Sequence, residues 1–286
     1  MYRSDLLAGK RILITGGGTG LGKSMAAHLL ELGAEIAICG RREDVLAATV
    51  DELGAASGGV ISAHGCDIRD PDAVETMMSA LFDQQPLDGL INNAAGNILA
   101  KSETLSPRAL DAVVGIVLKG SANCTLAAGR RWLDLGHPGT VLSVTTTYAW
   151  TGSAFVLPSA MAKAGVLAMT QSLAVEWGGR GIRLNAIAPG PFPTKGAWDR
   201  LVPNEEIAKA FESRNPLRRP GDHRELTNLV AFLMADGSGY VNGDVITIDG
   251  GEWLKGAGQF SFLEEMMTDE DWAAMRPPAK SAKSKG

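Results

Sequence analysis

The chain has 286 residues, 45% of them hydrophobic and 21% charged, and this composition excludes a disordered or collagen-like protein. Its 27 basic and 32 acidic residues give a formal net charge of −5, which argues against general nucleic-acid binding. The three cysteines, Cys39, Cys66 and Cys124, lack metal-ligand spacing and are typical of reduced thiols packed as small apolar residues in a cytoplasmic protein, so we expect no bound metal. We also expect no membrane span, since no run of 18 uninterrupted apolar residues occurs, and no cleaved targeting peptide.

Short apolar runs alternate with helix-forming segments along the chain. Strands are predicted at 11–15, 34–39, 59–66, 89–92, 139–145, 181–187 and 244–248, and helices at 20–32, 43–53, 72–84, 106–132, 159–177 and 225–234. Strands separated by helices in this way form parallel sheets that are covered on both faces. The sequence therefore predicts one doubly wound α/β domain over residues 1–265, with a parallel sheet of about seven strands.

Two segments depart from this alternation. The polar, proline-rich stretch at about 190–220 is long for a connection within an α/β domain, and we expect it to be a substrate lid. Residues 266–286 begin with acidic side chains and end with prolines and lysines. We expect these residues to be a partly disordered C-terminal extension.

A glycine-rich segment follows the first predicted strand and opens the first predicted helix. Glycines at this point allow a tight turn and let a pyrophosphate lie against N–H groups at the start of the helix. A plain turn is the alternative interpretation. The candidate cofactor-binding residues of this segment are Thr15, Gly16, Gly18, Thr19, Gly20, Leu21 and Gly22.

The end of the second predicted strand indicates which dinucleotide is bound. An NAD site normally carries an acidic residue there, whereas this chain has Arg41 and Arg42. A guanidinium group matches a phosphate with two parallel hydrogen bonds, so the pair favours the 2′-phosphate of NADP. Alternatively, both arginines lie on a solvated helix start beside Glu43 and Asp44. Asp67 ends the third predicted strand and is either an acceptor for the adenine amino group or a helix cap.

In this order, the motifs resemble those of the short-chain dehydrogenase/reductase family. The matching segments are Thr15–Gly22, Asn92–Gly96, a helix containing Lys163 and Pro189–Pro191, within a resemblance that runs from about residue 9 to 255. The resemblance implies a Rossmann-type fold and hydride transfer with a nicotinamide cofactor. It also implies a homotetramer, in which the helices around 106–132 and 159–177 would form the subunit contacts.

The chain departs from the family at the usual proton donor. The family has Tyr-x-x-x-Lys on the helix after the fifth strand, where the phenol and the ammonium share one face and pass a proton to an alkoxide. Here the tyrosine is replaced by Ser159, four residues before Lys163, and Val117 replaces the family's relay asparagine. A serine hydroxyl is a far weaker acid than a phenol. Tyr148 follows the predicted strand 139–145, at the edge where α/β sites lie, and is either a relocated phenol or a partly buried loop aromatic.

This departure resembles the NADPH-dependent, mitochondrial-type 2,4-dienoyl-CoA reductase branch of the family, through segments 92–97, 116–120, 158–165 and 189–197. The resemblance implies that Tyr148 and Asn97 bind the thioester carbonyl and that Lys163 binds the cofactor ribose, with Ser159 nearby. It implies further cofactor contacts from Ile68, Asn93, Ala94, Ala95, Thr146, Pro189, Gly190, Pro191 and Phe192. The acyl-CoA contacts that it implies are Arg69, Ile98, Ser106 and Arg200.

The branch's chemistry accounts for the missing acid. A conjugated dienoyl thioester takes hydride at its far carbon, and the charge collects on the thioester oxygen as a dienolate that fixed donors stabilise. Protonation at the α-carbon then gives a 3-enoyl-CoA, a step of fatty acid β-oxidation. Two alternatives stay open: an NADP-dependent ketone or alcohol oxidoreductase that uses Tyr148 as its acid, and a catalytically silent NADP-binding sensor.

Overall fold

The computed structural model describes residues 2–194 and 213–275. Within these ranges the strands form one parallel sheet in the order β3-β2-β1-β4-β5-β6-β7. The strand order reverses between β1 and β4, which creates a crevice at the carboxyl ends of these strands. The predicted doubly wound sheet is therefore confirmed. The strands are β1 (Arg11–Thr15), β2 (Glu35–Gly40), β3 (Ile61–Gly65), β4 (Gly89–Asn92), β5 (Gly139–Val144), β6 (Ile182–Pro189) and β7 (Val245–Ile248).

Helices cover both faces of the sheet, and several begin with clear capping contacts. Asp70 accepts hydrogen bonds from the N–H groups of Asp72 and Ala73 in the helix that begins at Pro71, and Asp222 forms a capping box with Glu225 at the helix that begins at His223. The helices are α1 (Gly20–Glu31), α2 (Glu43–Ser57), α3 (Pro71–Gln84), α4 (Pro107–Val114), α5 (Gly120–Leu135), α6 (Tyr148–Thr151), α7 (Leu157–Trp177), α8 (His223–Met234), α9 (Glu252–Ala257), α10 (Leu263–Met266) and α11 (Asp269–Ala274).

The core has two layers, one on each face of the sheet. Along β1 every residue is buried, and the alternation of side chains sends Ile12 and Ile14 into one layer and Leu13 into the other. The first layer packs against α1 and α8, and the second against α3 and α5. A strand that is buried on both faces reads as a continuous apolar run, which is why the sequence predicted this sheet so directly.

The single α-helix predicted over 106–132 is wrong in one respect. The helical backbone runs from Pro107 to Leu135, but a five-residue π-helical turn, Gly115–Lys119, separates α4 from α5. By length and composition alone, Pro107–Leu135 qualifies as a possible membrane-spanning helix, although only half of the qualifying window is buried inside the domain. Its α5 part packs against α3 and β4, as a core helix does.

The two segments expected to depart from the α/β alternation are only partly described. Of the predicted lid at 190–220, residues 195–212 lie outside the described residues. Of the predicted extension at 266–286, the described part includes the helix Asp269–Ala274, and residues 276–286 lie outside.

Candidate active site

A cleft of about 530 Å³ opens at the carboxyl ends of the central strands. The predicted residues Thr15, Gly20, Gly22 and Pro191 do not line it. Most of the predicted cofactor residues do, and Tyr148 lines it with them. The lining cofactor residues are Gly16, Gly18, Thr19, Leu21, Arg41, Arg42, Asp67, Ile68, Asn93, Ala94, Ala95, Thr146, Lys163, Pro189, Gly190 and Phe192.

The glycine-rich loop brings the start of α1 to the floor of the cleft. Gly16 and Gly20 have φ values of 65° and 55°, a left-handed backbone that favours glycine. A side-chain carbon on Gly22 would lie 2.3 Å from the carbonyl oxygen of Gly16 and 2.6 Å from Nδ2 of Asn93. Gly22 therefore acts through close packing rather than by lining the cleft. The unpaired N–H groups at the start of α1 suit the pyrophosphate of a dinucleotide.

Thr15 joins the loops that follow β1 and β4. Its Oγ1 accepts hydrogen bonds from the N–H groups of Asn93 and Ala94, both at 3.0 Å. The Asn93 side chain in turn donates to the carbonyl oxygens of Thr15 and Gly16, at 2.9 and 3.2 Å. These contacts fix the crevice where the strand order reverses. They place Thr15 behind the cofactor wall.

Arg69 forms an ion pair with Asp67, a residue that lines the cleft. Its guanidinium Nε lies 2.9 and 3.0 Å from the two carboxylate oxygens of Asp67. This pairing with Arg69 lowers the pKa of Asp67, which lines the cleft. Arg41 and Arg42, which also line the cleft, are exposed. The structure therefore pairs Arg69 with Asp67 of the predicted adenosine site.

Two thiols that the sequence predicted only as packing residues line the cleft. Cys39 is the last residue but one of β2, and Cys66 directly follows β3. Burial raises the pKa of the Cys66 thiol to about 11, so it stays protonated near neutral pH. The strand ends at which they lie gave a usable signal for their position, since every strand end at the switch point faces the ligand.

Tyr148, Ser159 and Lys163 come together at the cleft. Tyr148 begins α6 shortly after β5, and its hydroxyl shares a hydrogen bond of 3.0 Å with the hydroxyl of Ser159 on α7. Lys163 is buried one turn further along α7 and donates from Nζ to the carbonyl oxygen of Val144. Burial lowers the pKa of Lys163 to about 8.

The predicted substrate residues are not gathered in the same way. Asn97 is exposed in the loop after β4, and its Oδ1 accepts a hydrogen bond of 2.9 Å from the N–H of Ile98. Ser106 is the N-cap of α4 and accepts from the N–H of Ala109 at 3.2 Å. Arg200 lies outside the described residues. Asn97, Ile98 and Ser106 do not line the described cleft.

Other residues of the cleft wall were missed. Ile116 reaches the cleft from the π-helical turn, and Thr194 lines it after β6. Thr194 packs close to the glycine-rich loop, since a side-chain carbon on Gly20 would lie 3.5 Å from its Cβ. No sequence pattern announces a π-helical turn, whereas Thr194 belongs to the Pro-x-x-Thr run that begins at Pro191. Within residues 2–194 and 213–275, no group of three potential metal ligands lies together.

The switch in strand order, the glycine-rich loop and the cleft between them define the class, a Rossmann-type protein that binds a nicotinamide dinucleotide. Comparison with known sequences defines the family. The profile of the family described as Enoyl-(Acyl carrier protein) reductase matches residues 16–252. The chain belongs to this group of the short-chain dehydrogenase/reductases.

Two curated relatives and one solved structure illustrate the similarity. The Caenorhabditis elegans protein named "Probable 2,4-dienoyl-CoA reductase 3 [(3E)-enoyl-CoA-producing]" is 43% identical over 257 residues, 88% of this chain and 83% of the relative. The Bacillus subtilis protein named "Probable 2,4-dienoyl-CoA reductase [(2E)-enoyl-CoA-producing]" is 43% identical over 86% of this chain and 97% of its own. A putative 2-deoxy-D-gluconate 3-dehydrogenase from Agrobacterium tumefaciens, solved with bound NADP, has a TM-score of 0.81 at 32% identity, covering 88% of this chain and all (100%) of its own.

Proposed function

We propose that the protein reduces a 2,4-dienoyl-CoA thioester with NADPH and releases a 3-enoyl-CoA, in fatty acid β-oxidation. One observation carries the proposal: the hydroxyl of Tyr148 lies 3.0 Å from that of Ser159, which replaces the usual catalytic tyrosine. The names of the two curated relatives support the substrate class.

The residues around Tyr148 suit a reaction that stabilises an oxyanion. When bound, NADPH supplies hydride to the far carbon of the diene, and negative charge moves to the thioester oxygen. Either hydroxyl of the Tyr148–Ser159 pair can donate, and when Ser159 donates, the Tyr148 proton is free to point at the thioester oxygen. The hydrogen bond from Ile98 occupies the Asn97 oxygen, so the Asn97 amide offers its N–H groups as the second donor. Protonation of the α-carbon by water completes the reduction.

Lys163 contributes a buried ammonium group to the cleft. Its bond to the Val144 carbonyl fixes the ammonium at the end of β5, in the cleft and on the same helix as Ser159. We infer that Lys163 donates there to the ribose hydroxyls of a nicotinamide cofactor. A lysine in this position orients the cofactor, and the proposed charge stabilisation at the substrate comes from Tyr148 and Asn97.

The decisive experiment follows NADPH oxidation with 2,4-hexadienoyl-CoA and 2,4-decadienoyl-CoA, next to a panel of ketones. We expect turnover of the dienoyl thioesters and a product whose remaining double bond lies between C3 and C4, assigned by NMR. A 2-enoyl product would contradict the proposed protonation at the α-carbon. Turnover of ketones alone would instead identify an NADP-dependent ketone or alcohol oxidoreductase that uses Tyr148 as its acid.

We further propose that NADP is preferred over NAD. Arg41 and Arg42 line the adenosine end, and their guanidinium groups suit the 2′-phosphate of NADP. Replacing Arg41→Ala is expected to lower kcat/KM with NADPH about tenfold or more, the loss of a charge-assisted contact, and to leave the value with NADH nearly unchanged. Equal losses with both cofactors would contradict this assignment.

We also propose a homotetramer in the cytoplasm that takes an acyl-CoA as its partner molecule and binds neither nucleic acid nor membrane. Large apolar side chains exposed on α5 and α7 support the assembly. They are Leu126, Leu135, Leu157, Met161 and Val175. The three unpaired cysteines support a reducing compartment.

A further inference from the structure

Residues 191–193 follow β6, and three contacts join them to the residues at the start of α8. We call these three contacts the seam. The N–H of Gly221 donates to the carbonyl oxygen of Pro191 at 2.9 Å. The ring of Phe192 lies directly on Gly221, where a side-chain carbon would come within 2.2 Å of the ring. Nε2 of His223 lies 2.7 Å from the carbonyl oxygen of Pro193. Phe192 itself lines the cleft, so the seam fixes a wall of the cofactor site.

His223 extends the seam to the nucleotide-binding helix. Because the Pro193 carbonyl only accepts hydrogen bonds, Nε2 must carry the proton. Nδ1 of His223 lies 2.7 Å from Oγ of Ser24 on α1, and that hydroxyl is also 3.2 Å from the carbonyl oxygen of Gly20 in the glycine-rich loop. One imidazole thus connects the cleft wall, α8 and the helix whose first turn faces the cofactor pyrophosphate.

We propose that His223 is a positioning residue for the cofactor. It holds the wall that carries Phe192 at a fixed spacing from the glycine-rich loop, and a dinucleotide must bridge this spacing. The inference rests on the proposed cofactor site and adds a residue that touches neither the cofactor nor the substrate. Without the imidazole, a smaller fraction of the free protein has the binding-competent spacing. The apparent affinity falls in proportion to this fraction, because the apparent Kd is the intrinsic Kd divided by it.

A second histidine provides a matched control. His28 also joins α1 to α8, through a contact of 3.1 Å to Asn228; it contacts Glu31 of its own helix at 3.1 Å as well, and it is buried. It lies about one turn further along α1 than Ser24 and does not line the cleft. Replacing His28 therefore removes a bridge between the same two helices without touching the seam.

The experiment compares NADPH dissociation constants, measured by cofactor fluorescence, for the wild type and four variants. His223→Leu removes both contacts and is expected to raise Kd about tenfold, as when the competent fraction falls to about a tenth. The amide nitrogen of His223→Gln reaches the position of Nε2 and is expected to restore most of the affinity, whereas the shorter His223→Asn reaches only the position of Nδ1 and is not. His28→Leu is expected to lower the melting temperature with little change in Kd. Because the bound conformation is the same, kcat at saturating NADPH is expected to stay within about twofold of the wild type in His223→Leu.

Three results would overturn the proposal. They are an unchanged Kd in His223→Leu, an equal rise in His28→Leu, and equal affinities for the glutamine and asparagine variants. Should the leucine variant not fold, the comparison of glutamine with asparagine still decides. A wild type that binds no NADPH would overturn the cofactor proposal as well, which separates that failure from failure of the seam alone.

Discussion

In the proposed reaction, Tyr148 takes over from the tyrosine that is missing at position 159. Ser159 keeps the place of the family's catalytic tyrosine on α7, but its hydroxyl serves to hold the phenol of Tyr148, which arrives from α6. The two residues are 11 positions apart in the chain, and their hydroxyl groups are in hydrogen-bond contact. A phenol placed in this way is a fixed donor, and fixed donors need no reorganisation when charge develops on the substrate.

Replacing Tyr148→Phe tests this role directly. We expect kcat on a dienoyl-CoA to fall about 10²–10³-fold, the usual effect of losing one oxyanion donor, with the Kd of NADPH nearly unchanged. Tyr240→Phe is the matched control, because Tyr240 is fully exposed and lies before β7, and it is expected to behave as the wild type. Wild-type turnover by the Tyr148 variant would refute the assignment.

Burial of Lys163 has a consequence for stability against pH. The folded-state pKa is about 8, below the ordinary value of 10.5, so between these two values the unfolded chain binds more protons than the folded one. The free energy of unfolding attributable to Lys163 therefore rises with pH across this window, by up to about 1.4 kcal/mol per pH unit, and is lowest below pH 8.

The measurement is urea unfolding of the cofactor-free wild type and of Lys163→Met at several pH values from 7 to 10. We expect the wild type to gain stability relative to the variant as pH rises. Taking the difference is necessary because the raised pKa of Cys66 acts in the opposite direction in both proteins. A constant difference across the range would contradict the depressed pKa.

At the level of elements, the sequence predicted the strands well because each is a short apolar run bounded by turn residues. It failed where backbone geometry depends on tertiary contact. The π-helical turn Gly115–Lys119 has no composition of its own, and α6 is a single turn that follows β5. Likewise, the sequence analysis did not identify Ser106 as the N-cap of α4, because the exact start of a predicted helical segment depends on the backbone.

Two helical glycines, Gly22 in α1 and Gly54 in α2, are expected to respond in opposite ways to replacement by alanine. Gly22→Ala forces a side-chain carbon to within 2.3 Å of the Gly16 carbonyl oxygen, so we expect a loss of about 1–3 kcal/mol in unfolding free energy and weaker NADPH binding. Gly54→Ala in α2 meets only an ordinary contact at 3.7 Å and is expected to gain up to about 1 kcal/mol. Thermal unfolding with and without NADPH distinguishes the two. Destabilisation by both substitutions would contradict this account.

For the whole molecule, the sequence predicted the sheet from the periodicity of its apolar runs. The residues that line the cleft were predicted partly from the glycine-rich segment and the strand ends, and partly from the resemblance to the family. The seam was not predictable. Its contacts join residues near 192 to residues near 222, and Ser24 to His223, so no local pattern records them. The packed thiols of Cys39 and Cys66 were recognised as buried, but their place in the cleft required the three-dimensional sheet.

The proposed assembly is tested on the outer face of α7. Val175 is 87% exposed there, and an apolar side chain so exposed on a helix suggests contact with another subunit. We expect light scattering to give a mass near four times the 30.0 kDa chain, and Val175→Asp to give smaller species. Val60→Asp is the control, since Val60 is 62% exposed but lies outside α5 and α7. A wild type that runs as a monomer would contradict the tetramer.

The π-helical turn between α4 and α5 makes the molecule tolerant of a change in chain length at one point. Such a turn holds one residue more than an α-helix of the same rise, and each residue of an α-helix advances about 100° around the axis. Deleting a single codon within Gly115–Lys119 would thus rewind the turn into an α-helix, with α4 and α5 keeping their present faces. The same deletion inside α5 would turn the residues before it by roughly 100° against those after it, so that Val113, now in the core, would swing toward water and Ile116 would leave the cleft. The ligand chamber is therefore less sensitive to the loss of a residue in the turn than to the same loss in the flanking helices.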